Sequence, residues 1–309
     1  MTAVEPARWN GFLSAVAAQH DTPGASLAFF HDGAMHEFAT GVLNNDTGAP
    51  VRTDSLFQIG SVTKVWTATQ LLMLVEEGRF TLDTPFAEIV PDFKVVDPEL
   101  TKTVTFRHLL THTSGIDGDL FLDTGRGDDC LEKYAEAYRK LTAIHPLGAT
   151  QSYCNSGFSL LGPAVERLTG TSWDTALREQ IIEPLGLTHT VTLPEEALRH
   201  SAAIGHLEGG AVSPEWGLMR SAGPAGLICA RASDVVRFGL AHLSDGPLRE
   251  PEVMWEPHVA GGAGSGLSSD MAGPLSDGRW AERSPGRLRT ASSHGAPPPS
   301  RAVEIKPRT

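Results

Sequence analysis

Residues 57–83 read FQIGSVTKVWTATQLLMLVEEGRFTLD and carry the clearest local signals in the chain. Gly60 precedes a predicted helix that runs from Ser61 to about Glu77, and Gly78 ends it, as glycine often does after a last helical turn. Between these limits, Val65, Thr69, Leu72 and Val75 follow one another at the spacing of a helix face. The sequence therefore predicts a helix whose first residue is a serine.

Ser61 and Lys64 form an S-x-x-K element at the start of that helix. Residues three apart lie on one face of a helix, so the Lys64 amine can reach the Ser61 hydroxyl. A hydroxyl is a poor nucleophile until a neighbouring base takes its proton, and the Ser61 N–H can form half of an oxyanion hole. The chain has 22 Ser and 6 Lys, which produce roughly 0.4 such spacings by chance. Spacing alone therefore also fits a surface helix with a capping serine and a solvated lysine.

Tyr153 and Asn155 form a second element, just before a predicted helix over 155–168. Three Tyr and four Asn produce roughly 0.04 Y-x-N matches by chance, so this pair is much rarer. A phenol becomes a useful base only beside a cation that stabilises its anion, and Lys64 is the obvious cation. The alternative is a helix-capping asparagine beside a packed tyrosine.

Local patterns also predict the remaining secondary structure. Helices are expected over 6–20, 106–112, 129–144, 155–168, 173–182 and 233–242, and strands over 25–30, 35–40 and 227–230, while 56–59 is a short apolar run. The turn at His31-Asp32-Gly33 predicts that the first two strands form a hairpin.

Composition excludes several classes of function. The net charge of −12 argues against a nucleic-acid partner, and the longest apolar run, 71–75, is too short to span a bilayer. No secretion signal is visible at the N-terminus, so the expected location is the cytoplasm, without a membrane partner. Cys130, Cys154 and Cys229 form neither a disulfide framework nor a metal pattern, so we expect structural thiols and no metal or other cofactor.

Apolar periodicity ends near Ala260, and the composition changes with it. Residues 260–309 hold 8 Gly, 6 Pro and 8 Ser, with seven Lys/Arg and four Asp/Glu. Such a composition buries too little apolar surface to offset chain entropy. The sequence predicts an atypical tail over 260–309 that is either disordered or altered by a shift of reading frame.

Five ordered segments resemble one known family. They are FQIGSVTKVWTATQLLMLVEEGRFTLD (57–83), VTFRHLLTHTSGI (104–116), NSGFSLLGPAVERLTG (155–170) preceded by Tyr153, EPLGLTHT (183–190) and AGLICARASDVVRFG (225–239). Their order and spacing look like those of the serine β-lactamase-related family, which holds class C β-lactamases, DD-peptidases, D-aminopeptidases and family VIII esterases. The resemblance covers roughly residues 10–245.

The resemblance implies an α+β fold of the β-lactamase/transpeptidase type. Residues 1–60 together with 216–259 would form an antiparallel sheet part flanked by helices. Residues 61–215 would form a mainly helical part, with Ser61 at the junction.

The resemblance also implies an acyl-enzyme mechanism. Ser61 would attack a carbonyl while Lys64 and Tyr153 share the proton transfers, and Asn155 would hold Lys64 and the substrate amide. The LLTHTSG segment (109–115) is a structural turn in this family, so His112 and the preceding His108 would support that turn.

A third family motif, Lys or His followed by any residue and then Gly, would supply the second oxyanion donor. The nearest candidate is His294, which is followed directly by Gly295. No alternating apolar strand surrounds it, so its role in substrate binding is the weakest of these expectations.

The sequence therefore predicts a serine acyl hydrolase, either an esterase or a D-amino-acid amidase/peptidase-like enzyme. Its partner would be a small ester, amide or D-amino-acid peptide substrate. Two alternatives stay open: a catalytically impaired or silent member with a disrupted C-terminus, and a peptide cyclase or acyltransferase on the same fold. The sequence does not indicate an oligomeric state.

Overall fold

An N-terminal helix and a β-hairpin begin the fold. Helix α1 (Pro6–Gln19) is followed by strands β1 (Gly24–His31) and β2 (Ala34–Asn44), which pair antiparallel along their length. Asp32 and Gly33 both have positive φ, which is what the favoured two-residue hairpin turn requires. The predicted first helix and hairpin are confirmed.

The computed structural model describes residues 4–217, 219–243, 249 and 251–254. Four further strands and ten further α-helices follow in chain order within these described ranges. They are β3 (Ala49–Pro50), β4 (Phe57–Gln58), α2 (Thr63–Glu76), α3 (Phe86–Ile89), α4 (Pro98–Thr103), α5 (Phe106–Leu110), α6 (Cys130–Ala137), α7 (Asn155–Thr169), α8 (Trp173–Leu177), β5 (Thr190–Val191), α9 (Pro194–Ala197), α10 (Gly223–Gly226), β6 (Cys229–Ala230) and α11 (Ala232–Ala241).

The strands of the described residues form two small antiparallel sheets. The first has the order β1-β2-β3 and the second the order β4-β6-β5. In the second sheet β6 is central, because Cys229 and Ala230 pair with β4 on one side and β5 on the other. The pairing of β4 with β6 therefore places the segment just before Ser61 next to residues 229–230.

Helix α2 lies at the centre of the hydrophobic core. Its Trp66, Leu71 and Leu74 are buried completely or almost completely, and the Trp66 ring stacks on Phe238 of α11 with centroids 3.8 Å apart. Each buried apolar side chain of this size contributes roughly 1.5–3 kcal/mol. Packing therefore fixes this helix in place. The same cluster includes Phe86, Phe93, Phe106, Leu109, Leu160, Leu161 and Val165.

Helix α6 is shorter than the sequence predicts. The expected helix over 129–144 ends at Ala137, and one 3₁₀ turn follows to Lys140. Ala143 instead pairs with Ile116 in an isolated antiparallel bridge, and the Ile144 N–H donates to the carbonyl of Gly115. These tertiary hydrogen bonds outweigh the local helix preference.

The three cysteines are unpaired and buried. Burial raises the pKa of the Cys130 thiol to about 11 and that of Cys229 to about 12. Such thiols are poor nucleophiles at neutral pH. The three buried cysteines therefore fit the structural role that the sequence predicts.

The described residues fall within one compact unit, Met1–Pro274. Within the described ranges, none of the helices combines the length and the apolar character that a bilayer crossing needs. The division between residues 1–60 with 216–259 and residues 61–215 stays a prediction. The predicted tail over 260–309 and the candidate His294 lie outside the described residues.

Candidate active site

Ser61 lies in a single 3₁₀ turn, Gly60–Val62, that leads directly into α2. Gly60 has a φ of +52°, a left-handed conformation that glycine adopts without strain. The turn is held from outside by the Ile59 N–H, which donates to the Ile228 carbonyl. The Ser61 side chain is exposed, so a substrate can reach the hydroxyl.

Lys64 is buried one turn further on and faces Ser61. Its side chain reaches three oxygens: Nζ lies 3.1 Å from Ser61 Oγ, 2.8 Å from Asn155 Oδ1 and 2.7 Å from the carbonyl of Ala225. Only 5% of the residue is exposed. Within the described part of the chain Lys64 forms no ion pair with a carboxylate. The predicted contact between Ser61 and Lys64 is therefore present.

Asn155 begins α7 and joins Lys64 to an aspartate that the sequence did not indicate. Its Oδ1 accepts from Lys64, while its Nδ2 donates to Asp119 Oδ1 at 3.0 Å. The carboxylate can only accept, so this pair orients the Asn155 amide with its oxygen towards Lys64. Asp119 is thus a supporting residue of the site.

Tyr153 approaches Lys64 through its ring. Lys64 Nζ lies 4.9 Å from the ring centroid, within the range of a cation–π contact. The tyrosine is 40% exposed, and its hydroxyl makes no hydrogen bond within the described residues. The structure therefore brings Tyr153 beside Ser61 and Lys64 and leaves its hydroxyl available.

His112 supports the backbone next to Tyr153. Its Nδ1 accepts the N–H of Cys154 at 3.0 Å, and its ring lies 4.6 Å from the Tyr153 ring. Burial, assisted by the positive charge of Lys64, lowers the His112 pKa to about 4. His108 instead caps α5 through Thr105. Both histidines have the supporting role that the resemblance implies.

The His112 contact predicts a specific dependence of stability on pH. The unfolded chain, with an ordinary histidine pKa near 6.5, binds a proton before the folded chain does, because the folded pKa is about 4. The neutral ring therefore contributes full stability above pH 6.5, and this contribution is lost as the pH falls towards 4. We expect the loss to reach about 3 kcal/mol.

His112→Asn is the variant that isolates this effect. Asparagine tolerates the positive φ of 61° at this position, and its Oδ1 can accept from Cys154 without titrating. The free energy of unfolding, measured in urea at pH 7 and pH 4.5, should fall further for the natural protein than for the variant. Parallel losses in the two proteins would contradict the assignment.

Ser61 lines two adjoining cavities in the described part of the chain. The smaller, about 200 Å³, is mostly apolar and is bordered by Leu120, Leu122 and Met219. The larger, about 480 Å³, is also mostly apolar and holds Lys64, Tyr153 and His112 at its border. A substrate attached to Ser61 can therefore place one group in each cavity.

The Ser61 N–H has no backbone acceptor among the described residues. It lies at the border of both cavities, so it can donate to an oxygen that develops negative charge beside Ser61. Its place in an oxyanion hole stays a prediction. The role of His294 in substrate binding also stays a prediction, because that residue lies outside the described ranges.

Sequence reasoning missed two contributors to the site. The Ala225 carbonyl is a backbone group, so no side-chain pattern marks it. Asp119 follows the LLTHTSG segment closely and carries an acidic side chain, but nothing in the spacing links it to Asn155, 36 residues further along.

Several known proteins are similar to this chain in sequence. The profile of the Beta-lactamase family matches residues 9–302, beyond the point at which the atypical tail is predicted to begin. Penicillin-binding protein 4 of Amycolatopsis lactamdurans is 49% identical over 78% of this chain and 64% of its own length. Esterase EstB of Burkholderia gladioli is 32% identical over 51% of this chain and 43% of its own length. The chain thus aligns with less than two thirds of either relative.

A solved structure supports the same grouping. The D-amino acid amidase of Ochrobactrum anthropi SV3, complexed with L-phenylalanine amide, is 25% identical, with a TM-score of 0.66 over 80% of this chain and 73% of the amidase. The predicted α+β fold of the β-lactamase/transpeptidase type is confirmed. The profile match through almost the entire sequence shows that this chain belongs to the Beta-lactamase family.

Proposed function

We propose that this protein is a serine acyl hydrolase that forms an acyl-enzyme on Ser61. One observation carries the proposal: the buried Lys64 amine lies within hydrogen-bond distance of the Ser61 hydroxyl and of two carbonyl oxygens. A solvated surface lysine would have no such partners. The alternative of a capping serine beside a solvated lysine therefore does not fit this environment.

The three partners of Lys64 suggest how it acts as a base. Lysine acts as a base only in its neutral form, which has two N–H groups and one lone pair. The oxygens of Asn155 and Ala225 carry no hydrogen, so they can only accept, and together they take both N–H groups. The lone pair is then left for the Ser61 hydroxyl proton, which moves to Lys64 as Ser61 Oγ attacks the substrate carbonyl.

Tyr153 is proposed to pass a proton to the leaving group. Its ring contacts Lys64 while its hydroxyl stays free for the substrate. As the carbonyl–leaving-group bond breaks, Tyr153 gives its own hydroxyl proton to the leaving group, and the protonated Lys64 beside the ring stabilises the phenolate that remains. Water would then attack the acyl-enzyme carbonyl and give a proton to Tyr153, while Lys64 returns its proton to Ser61 Oγ and the acid is released.

The proposed substrates are small esters or amides, including amides and peptides of D-amino acids. The named esterase and D-amino acid amidase relatives support both bond types. The smaller cavity is suited to a compact apolar acyl group, and the larger cavity, beside Tyr153, is suited to the leaving group. Asn155 uses one amide N–H for Asp119, so its second N–H remains for a substrate carbonyl.

A fluorophosphonate probe tests the proposal directly. We expect intact-mass analysis to show one adduct per chain, and the protein to hydrolyse p-nitrophenyl esters or D-amino-acid amides. A folded protein that forms no adduct would contradict the proposal and favour a silent binding protein. An amide product formed when an amine nucleophile is added would instead indicate acyl transfer.

A further inference from the structure

An arginine close to the active site is held in a partly buried ion-pair cluster, in which Asp174 is buried and the side chain of Asp128 is 82% exposed. Arg220 Nη2 lies 2.9 Å from Asp174 Oδ2 of α8 and 2.8 Å from Asp128 Oδ1, and Nη1 donates to the carbonyl of Arg126. The Arg220 side chain is 16% exposed and that of Asp174 is 11% exposed. Charge-assisted hydrogen bonds in such surroundings are stronger and more directional than exposed ion pairs.

The segment that begins at Arg220 leads directly to a partner of Lys64. Arg220 opens a 3₁₀ turn, Arg220–Ala222, which continues into α10. The Pro224 carbonyl accepts from Thr67 Oγ1 at 2.8 Å, and the Ala225 carbonyl accepts from Lys64 Nζ at 2.7 Å. Arg220 therefore anchors one end of a short helical segment whose other end contacts the catalytic helix.

The same segment forms part of the wall of the smaller cavity. Met219, Ala222 and Ala225 line this cavity beside Ser61. The Ser221 hydroxyl donates to the carbonyl of Leu122, which belongs to the opposite part of the lining. Movement of the segment would change both the shape of this cavity and the position of the Ala225 carbonyl.

Helix α8 provides the support for this segment. It carries Asp174, which binds Arg220, and also Trp173, against which Gly223 packs. A Cβ added at Gly223 would lie 3.3 Å from the Trp173 ring, so the Gly223 backbone packs closely on that ring. The Arg220–Asp174 ion pair and the Gly223–Trp173 contact therefore both attach the segment to α8.

We propose that Arg220 is a positioning residue for acylation. It holds residues 219–226 so that the Ala225 carbonyl keeps the Lys64 amine directed at Ser61. This inference rests on the proposed function, because it concerns the rate at which Ser61 becomes acylated. A role in stability alone would change the fraction of folded protein without changing the rate at each active site.

Arg220→Met and Arg220→Lys test the role. The side chain of methionine fills similar space but removes every hydrogen bond, whereas lysine keeps a charge that can pair with Asp174. Probe labelling counts the active sites, and the acylation rate, kcat and KM for a p-nitrophenyl ester are then expressed per active site. We expect a fall in acylation rate and kcat of about 10-fold to 100-fold for Arg220→Met, because a small misplacement of a catalytic group has effects of this size. KM should change less than kcat, and Arg220→Lys should recover most of the loss.

Arg178→Met is the matched control. Arg178 pairs with Glu196 at 3.0 Å on a more exposed surface, with 41% of its side chain accessible, and lies outside the proposed machinery. The rate per active site of Arg178→Met should stay within about twofold of that of the natural protein, since partly exposed ion pairs contribute little.

Asp174→Asn keeps the test decisive if Arg220→Met does not fold. It retains the shape and an acceptor for Arg220, and its rate per active site should fall by severalfold. Full rates per active site in Arg220→Met, or in Asp174→Asn where the first variant is unfolded, would overturn the inference. A natural protein that never labels would instead overturn the proposed function, so the two failures are distinguishable.

Discussion

Replacing Ser61 by alanine is expected to abolish covalent labelling and to lower kcat/KM by about 10⁴-fold or more. The Ser61 hydroxyl is the group that forms a covalent bond with the substrate in the proposed mechanism, and the methyl group of alanine cannot replace it. Ser61 is exposed, so the variant should fold normally. Intact-mass analysis after incubation with fluorophosphonate, combined with circular dichroism, measures both outcomes.

Ser14→Ala is a suitable control for that experiment. Ser14 lies on the exposed face of α1 and pairs with Thr40 Oγ1 at 2.8 Å, so its loss should leave labelling unchanged. An adduct of undiminished yield in Ser61→Ala would show that another nucleophile reacts. The proposed mechanism would then be wrong.

Replacing Lys64 by methionine should reduce acylation by about 10²-fold to 10⁴-fold, the range expected for loss of a positioned general base. Methionine fits the buried space and cannot take the Ser61 proton. The change also leaves the oxygens of Asn155 and Ala225 without their donor, which costs roughly 1–3 kcal/mol for each buried acceptor. Acylation should therefore be measured at a temperature at which the variant remains folded.

Lys102→Met provides the matched comparison for Lys64→Met. Lys102 pairs with Glu99 at 2.9 Å on the surface of α4, with 69% of its side chain exposed. Its removal should leave the acylation rate unchanged. If Lys64→Met acylated as fast as Lys102→Met, the base would have to be a different group, and Tyr153 would be the first candidate.

The two largest expected losses of activity, in Ser61→Ala and Lys64→Met, concern residues that the sequence already identifies. Ser61 and Lys64 lie three positions apart at the start of one helix, and helical geometry alone brings such side chains together. The hairpin and the long helices α1, α2 and α7 are predictable for the same reason, since periodicity, turn residues and end signals act over a few positions. Tyr153 and Asn155 are marked by a rare pair, but their placement opposite Lys64 rests on the family resemblance.

The secondary structure predicted from the sequence is wrong where contacts between distant residues outweigh local helix preference. Residues 141–144 have a helical pattern, yet Ala143 and Ile144 hydrogen-bond to the chain at residues 115–116. A π-helical segment, Arg178–Ile182, likewise continues α8 in place of regular α-helix. Neither outcome is visible in a single window of sequence.

The sequence by itself determined the fold family, the proposed nucleophile and the amine beside it, because these depend on short-range geometry and on ordered motifs. Tertiary structure alone decided what surrounds that amine. The Ala225 carbonyl lies 161 positions from Lys64, and Asn155 lies 91 positions away. A backbone carbonyl has no side-chain signature, and contacts over such separations form only when α2, α7 and α10 pack into one core. Packing therefore directs the reactivity that the sequence pattern makes possible.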